Sequence, residues 1–181
     1  MSKVLMVSVP IFFGVLILAP TVWADILVEF EGGIGVLTAD GEVICPTGGT
    51  NCTVRRNDVR GVQPGGQPWV IRQFKAKVKT NGRITAEGKG LVLAGSNAIG
   101  TAGGVNAVAA TLFCAEVTDP NGHSSGSHPL AADGDFKFTD TLSPAVPADC
   151  PTPTLLIRAR TNTGQWIAAG IPEDRSEEDD D

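Results

Sequence analysis

Apolar and polar residues alternate along most of the chain with a period of two, which is the pattern of strands with one buried face. No window sustains the apolar stripe of an amphipathic helix. Turn-forming pairs such as Asn81-Gly82 and Asp133-Gly134 separate several alternating segments, as do Asp40-Gly41 and Asn121-Gly122. The predicted strands span residues 26–30, 34–38, 69–79, 83–93, 105–117, 135–142, 154–161 and 166–169. The pattern predicts an all-β fold, an antiparallel β-sandwich of immunoglobulin-like or similar type with about eight strands.

The hairpin around Asn81-Gly82 allows two registers, and the faces of the strands decide between them. A two-residue loop would mix lysines and apolar residues on both faces. A three-residue loop with Gly82 in a left-handed conformation places Val78 opposite Ile84, with the two following core pairs at Ala76/Ala86 and Phe74/Gly88. The other face then carries the charged residues, so the sequence predicts the three-residue loop.

Beyond this hairpin the pattern changes. Residues 69–71 and 91–93 are apolar at every position, which predicts that this end of the hairpin is bulged or covered on both sides. Residues 94–104 are mostly Gly, Ala, Ser, Thr and Asn and predict a loop that lets backbone approach closely. An anion-binding glycine loop is disfavoured because the segment has no Gly-Lys-Ser/Thr ending and no following helix.

The chain divides into three parts. Residues 1–24 have Lys3, an apolar run interrupted by Pro10, and a Val22-Trp23-Ala24 ending, which predicts a secretory signal cleaved after Ala24. The run is too short and too proline-broken for a membrane anchor, so no transmembrane span is expected in the mature chain. Residues 25–172 are predicted to form a single domain.

Residues 173–181 form an acidic tail with seven carboxylates against one arginine. A block of like charge without apolar residues predicts disorder. The tail also accounts for most of the formal charge of −6, since the body from 25 to 172 has 12 basic and 13 acidic residues. A near-neutral body disfavours nucleic acid as a partner.

The chain contains four cysteines, and an even number in an exported chain predicts two disulfides. Of the three connectivities, Cys45–Cys52 and Cys114–Cys150 are favoured. The first closes a short loop with two glycines, and the second ties a strand end to a proline-rich segment. A zinc site is the alternative, but no Cys-x-x-Cys pair occurs.

The two histidines, His123 and His128, lie in one Gly/Ser-rich segment that is predicted to be an exposed loop. Together with Asp119, Asp133 and Asp135 they could hold a divalent metal, since imidazole and carboxylate are common ligands of transition metals. The simpler interpretation, a polar loop without metal, is favoured because the spacing matches no metal signature. No cofactor fingerprint or nucleophile motif occurs, so a non-catalytic protein is favoured.

A basic strip, defined by Lys75, Lys77, Lys79 and Arg83, is predicted on the solvent face of the hairpin. It could receive an anionic glycan or an envelope surface. Alternatively, exposed lysines only prevent edge-to-edge aggregation of strands, and this interpretation is favoured.

Residues Asp133-Gly134-Asp135-Phe136-Lys137-Phe138 resemble the Asp-Gly-x-Phe turn-to-strand motif of secreted β-sandwich modules such as carboxypeptidase-regulatory-like and transthyretin-like domains. The resemblance implies a turn at Asp133-Gly134 with Phe136 and Phe138 on the core face. It implies no activity.

These observations predict an exported, disulfide-stabilised, non-catalytic β-module, either secreted or periplasmic, that binds a ligand or has a structural role. Two alternatives stay open. One is a metal-binding protein or metal-dependent enzyme that uses His123 and His128. The other is an assembly subunit that pairs with a protein partner through its strand edges.

Overall fold

The computed structural model describes residues 24–49, 51–115, 122–160 and 164–173. The predicted signal segment up to Trp23 and the acidic tail after Glu173 lie outside these ranges. The predictions made for them therefore stay predictions.

The described residues form thirteen strands and no helix. The strands are β1 (Ile26–Gly35), β2 (Ala39–Ile44), β3 (Thr53–Arg56), β4 (Trp69–Val70), β5 (Gln73–Lys79), β6 (Arg83–Lys89), β7 (Val92–Leu93), β8 (Ala107–Phe113), β9 (His123–Ser124), β10 (His128–Pro129), β11 (Phe136–Thr141), β12 (Thr154–Ala159) and β13 (Trp166–Pro172).

Nine strands form one antiparallel sheet in the order β10-β8-β12-β13-β1-β5-β6-β11, with β9 also paired to β8. The two ends of this sheet approach each other, because Ser124 of β9 and Ser143 after β11 exchange two backbone hydrogen bonds of 2.8 and 2.9 Å. The predicted antiparallel, disulfide-stabilised all-β fold is confirmed. Its opposing layers belong to one curled, nearly closed barrel-like sheet. The contact between β9–β10 and β11, where the two ends of this sheet meet, is called the seam.

The hairpin β5–β6 has the predicted register. Val78 lies opposite Ile84, and Ala76 lies opposite Ala86, with all four side chains buried. Gly82 closes the loop with φ +80° and donates its N–H to Lys79 O at 2.8 Å. Alternation of apolar and polar residues therefore fixes this part of the barrel wall.

Two predicted segments at the start of the domain are one strand. Residues 26–30 and 34–38 were expected as separate strands, but β1 continues through Glu31 and the following glycines with a register shift between Phe30 and Gly33. Before the shift β1 pairs mainly with β5, and after it with β13. The bulge lets one strand join the two halves of the sheet.

Strands β2 and β3 form a separate two-stranded ribbon that the sequence pattern did not predict. The expected turn at Asp40-Gly41 is wrong, since both residues lie inside β2, where Asp40 Oδ1 accepts a hydrogen bond from Glu42 N. The ribbon is closed instead by the Cys45–Cys52 disulfide loop, with a Cα–Cα distance of 4.2 Å. Nearly all of its residues are exposed.

The core fills the interior of the curled sheet and includes Phe74, Phe136 and Phe138, so the predicted inward orientation of the last two is confirmed. The turn at Asp133-Gly134 is present, and Gly134 N donates to Ala131 O. The predicted Cys114–Cys150 disulfide is also present, with both cysteines buried and a Cα–Cα distance of 4.5 Å. It ties the end of β8 to the segment before β12.

Candidate functional site

The expectation that both histidines lie on an exposed loop is wrong. Residues 123–129 run antiparallel to β8, where His123 lies opposite Leu112 and His128 opposite Val108. The segment therefore satisfies backbone hydrogen bonds as two short strands. His123 is buried, and its Nδ1 donates to Pro144 O at 3.0 Å. Their partners on β8, Leu112 and Val108, are four residues apart, which corresponds to about 13 Å along the strand.

His128 lies on the seam, where it has two contacts with β11. Its Nε2 donates to Asp140 Oδ2 at 2.8 Å, and its ring stacks on Phe138 with a centroid distance of 4.0 Å. The same carboxylate oxygen accepts a hydrogen bond from Gly126 N, and Oδ1 accepts one from Thr141 N. These hydrogen bonds, above all the one from Thr141 N, hold the pKa of Asp140 below its usual range.

The carboxylates suggested for a metal site have other partners. Asp135 Oδ1 accepts from Gly90 N at 2.8 Å, and Asp133 Oδ1 accepts from Asp135 N. Asp119 lies outside the described residues. Across the described ranges, no three His, Cys, Asp or Glu side chains lie together in an arrangement that could hold a metal ion.

The basic strip lies on the solvent face as predicted, but glutamates of the neighbouring strands partly neutralise it. Lys75 Nζ is 2.5 Å from Glu31 Oε1, and Lys77 forms an ion pair with Glu29. Hydrogen bonding to Glu31 raises the pKa of Lys75. Lys79 and Arg83 form no ion pair with any described residue. Anion binding by the strip stays a prediction, with these two as its uncompensated charges.

One row across four strands alternates in charge: Glu31, Lys75, Glu87 and Lys137 follow one another from β1 to β11. Lys137 Nζ is 2.7 Å from Glu87 Oε2, and this hydrogen bond lowers the pKa of Glu87. Two open clefts of about 570 and 500 Å³ lie along this row. Their walls carry exposed ion pairs on an open sheet face, and such ion pairs are already compensated by each other and by solvent.

A third cleft, called the mouth cleft below, lies at one end of the barrel and has a volume of about 400 Å³. Three parts of the chain build it: the loop before β4, the glycine-rich loop after β7, and the ends of β12 and β13. The lining residues are Gly65, Gly66, Gln67, Trp69, Leu93, Ala102, Gly104, Val105, Ala159, Gln165 and Ile167. None of them carries a charge.

Local backbone pairing holds these parts together. Trp69 of β4 lies opposite Leu93 of β7, in a short ribbon that continues the β5–β6 hairpin. Trp69 N also donates to Val36 O, and Val36 N donates to Ile167 O, which connects the ribbon to β13. The residues that are apolar on both faces in the sequence thus form the ribbon that covers this end of the barrel.

Trp69 is the most distinctive residue of the mouth cleft. The residue is only 5% exposed. Even so, its Nε1–H donates no hydrogen bond within the described part of the chain, while no fully enclosed side-chain polar atom there is without a partner. The Nε1–H therefore opens to the cleft. Buried tryptophans usually pair this group, so an available indole donor in a cleft wall marks a candidate binding site.

Trp166 provides the contrast within the same chain. It is equally buried, at 3% exposure, but its Nε1 donates to Asn57 O at 3.0 Å. The indole N–H of Trp166 is therefore used in an internal hydrogen bond, whereas that of Trp69 can donate to solvent or to a ligand.

Glycines keep the mouth cleft open. A Cβ on Gly65 would lie 3.3 Å from Trp69 Nε1, whereas a Cβ on Gly66 or Gly104 would meet no atom within 4 Å. Both of these last two positions are exposed, so a side chain there would extend into open space at the edge of the cleft. Two amide side chains, Gln67 and Gln165, complete the lining, and neither forms a hydrogen bond with another described residue.

The sequence did not identify the mouth cleft, although it did predict the glycine-rich loop and the unusual apolar segments around Trp69 and Leu93. These segments were the only signal. The lining residues are up to 102 positions apart, from Gly65 to Ile167, and only the curled sheet brings them together.

Comparisons with known proteins give no further guide, because no family model, curated protein or solved structure matches the chain. The described residues contain no helix of the length and apolar character needed to span a membrane. The two disulfides are typical of proteins outside the reducing cytoplasm.

Proposed function

We propose that the chain is an exported, non-catalytic binding module of the cell envelope or extracellular space, and that it binds a small ligand in the mouth cleft. The observation that carries this proposal is the available indole N–H of the buried Trp69, which lines the cleft together with the apolar side chains of Leu93 and Ile167. Small-molecule sites combine an apolar lining with a few directed polar groups, and they occur in the mouths of barrels.

The stability of the surrounding frame supports a binding role. The cleft is bordered by the continuous sheet, and the hydrogen bond from Gly65 N to Trp166 O, 2.8 Å long, ties the loop before β4 to β13. A rigid frame lowers the entropy that a ligand must overcome on binding. Catalysis would need a positioned nucleophile or acid–base pair, and the lining residues supply neither.

Export is supported by the signal-like segment and the two disulfides. It is tested by expressing the full chain in a bacterium and sequencing the N-terminus of the periplasmic protein. We expect Asp25 as the first residue. A chain that starts at Met1 and stays in the cytoplasm would contradict export.

Binding is tested by measuring the thermal unfolding midpoint with a panel of sugars, amino acids, nucleosides and short fatty acids. We expect at least one class to stabilise the protein, since a ligand that binds only the folded state raises its midpoint. The stabilisation should disappear in Gly104→Leu, whose added side chain enters the empty part of the cleft.

Ala131→Leu is the matched control, because it places a leucine side chain at an exposed residue outside the cleft. If Gly104→Leu itself unfolds early, Gly66→Leu adds a leucine side chain to another part of the lining. The proposal is wrong if no compound stabilises the protein, or if the stabilising compounds act equally on the blocked variants.

A further inference from the structure

We infer that the mouth cleft takes a neutral hydroxylated ring, such as an uncharged sugar, and that Trp69 Nε1–H donates a hydrogen bond to one of its oxygens; this inference rests on the proposed function. Three properties of the cleft lead to it: the absence of charge on the lining residues, the kind of polar groups present, and the position of those groups beside apolar side chains.

Charge decides between neutral and ionic ligands. None of the described residues that line the cleft is acidic or basic, so an ionic group placed against this wall would gain no counter-charge. A charged group that gives up part of its hydration without such a partner is disfavoured. The cleft therefore favours an uncharged ligand, in contrast to the ion-pair row on the side of the barrel.

The polar groups decide what the ligand must offer. The indole N–H of Trp69 is a donor only, so it requires an acceptor oxygen on the ligand. The amides of Gln67 and Gln165 can both donate and accept. A hydroxyl group also does both, so a ligand with several hydroxyls can satisfy all three side chains.

The apolar part of the lining requires a ligand face without polar atoms. Leu93, Val105 and Ile167 lie beside Trp69, and Gly65 allows close approach to the indole nitrogen. A sugar ring presents C–H groups on one face and hydroxyls around its edge. The volume of about 400 Å³ is near the lower end of the usual range for small-molecule sites, which suits a single ring with its substituents.

The experiment covers the indole donor with one methyl group. Gly65→Ala places a methyl group 3.3 Å from Trp69 Nε1 and 3.1 Å from Ile167 Cγ2, so it covers the donor. Gly65 has no positive φ, so its backbone is compatible with alanine. Ala131→Leu, which adds apolar bulk at an exposed residue outside the cleft, is the control.

The probes are neutral methyl glycosides of the common hexoses, pentoses and N-acetylhexosamines, together with the methyl glycoside of glucuronic acid. Binding is measured by titration while the ¹⁵N-indole resonances of Trp69 and Trp166 are followed by NMR. We expect at least one neutral glycoside to move the Trp69 resonance. Gly65→Ala should weaken its binding about 3- to 10-fold, the loss of one neutral hydrogen bond, whereas Ala131→Leu should not weaken it.

The charged glycoside should bind at least about tenfold more weakly than its neutral counterpart at pH 7, because its carboxylate gains no partner. If Gly65→Ala proves unstable, Gln165→Met removes one amide at similar size and should weaken binding in the same way. Equal binding of the charged glycoside, or unchanged binding in both Gly65→Ala and Gln165→Met, would overturn the inference.

The two proposals fail in different ways. If no glycoside moves the Trp69 resonance but another uncharged or charged compound of the panel does, the ligand class is wrong and the binding site remains. If no compound of any class moves it, the proposed function fails as well.

Discussion

His128 Nε2 lies 2.8 Å from Asp140 Oδ2, and this hydrogen bond joins the two ends of the sheet across the seam. The backbone contributes only the reciprocal Ser124–Ser143 pair between these ends in the described residues. The Asp140 carboxylate also accepts hydrogen bonds from Gly126 N and Thr141 N. It thus takes the place of some of the backbone hydrogen bonds that would otherwise join two paired strands. The stability of the barrel closure therefore depends on Asp140.

Replacing Asp140 with alanine should destabilise the protein by about 1–3 kcal/mol, since hydrogen bonds to a charged acceptor contribute more than neutral ones and this acceptor is partly exposed. The free energy of unfolding from urea titration measures the effect. Asp149→Ala is the control, because Asp149 is an exposed carboxylate with no side-chain partner among the described residues. Equal stability of the two variants would show that the seam does not depend on Asp140.

The Asp140 carboxylate also makes the stability of the folded protein depend on pH, in a direction that its pKa determines. Its pKa is lowered in the folded protein, mainly by the hydrogen bond from Thr141 N and also by Gly126 N and His128. The folded state therefore binds fewer protons than the unfolded state, so Asp140 contributes stability above the unfolded pKa of about 3.9 and loses that contribution as the pH falls through the lower folded pKa.

We expect the difference in unfolding free energy between the wild type and Asp140→Asn to be largest near neutral pH. It should shrink as the pH falls from 5 toward about 2. Urea titrations at several pH values measure this difference. A difference that stays constant through the acidic range would contradict the assignment.

The two disulfides should contribute unequally. Cys114–Cys150 spans 36 residues and is buried against the core, whereas Cys45–Cys52 spans seven residues in the exposed ribbon. Chain entropy alone gives about 4 kcal/mol for the first loop and about 2.5 kcal/mol for the second. Thermal unfolding of the two double-alanine variants should therefore show the larger loss for Cys114 and Cys150. A larger loss for the ribbon disulfide would mean that the ribbon is part of the cooperative core.

Gly134→Ala should be among the more damaging small substitutions. The residue has φ +84°, and an added Cβ would lie 2.4 Å from the backbone N and O of Leu91, to which Gly134 is also hydrogen-bonded. The left-handed conformation alone costs an L-residue about 1–2 kcal/mol, and the contact adds to it. Gly66→Ala, which meets open space, is the control, and equal unfolding midpoints would contradict the packing described here.

The pairing of β5 with β6 in the barrel wall could be predicted from the sequence, because a change of register there would cost much free energy. Shifting Val78 by one residue would expose it and bury Lys77 or Lys79, so alternation leaves one solution. The disulfide pairing was also predicted, from a short glycine-containing loop for Cys45–Cys52 and from a strand end beside a proline-rich segment for Cys114–Cys150. The turn at Asp133-Gly134 was also correctly assigned.

Other features depend on distant partners that alternation does not reveal. His123 and His128 lie in a segment rich in Gly and Ser, and only pairing with β8 turns that segment into strands. Asp40-Gly41 has the composition of a turn but lies inside β2. In both cases tertiary pairing overrides the local preference.

The mouth cleft shows the same limit most clearly. In the sequence, Trp69 has the pattern of an ordinary apolar strand residue, and its neighbours in the chain do not distinguish it from Trp166. The difference arises because Asn57 O lies next to one indole nitrogen, while glycine lies next to the other. Such a relationship exists only in the folded chain.

The most direct test of the account is an NMR titration of the ¹⁵N-labelled protein with the compound panel, in which the indole N–H resonances of Trp69 and Trp166 are followed together. A Trp166→Phe variant assigns them. A bound compound should move the Trp69 resonance and leave that of Trp166, which is hydrogen-bonded to Asn57 O, in place. A Trp69 resonance that no compound moves, or that shifts only in parallel with Trp166, would contradict a binding site at the barrel mouth.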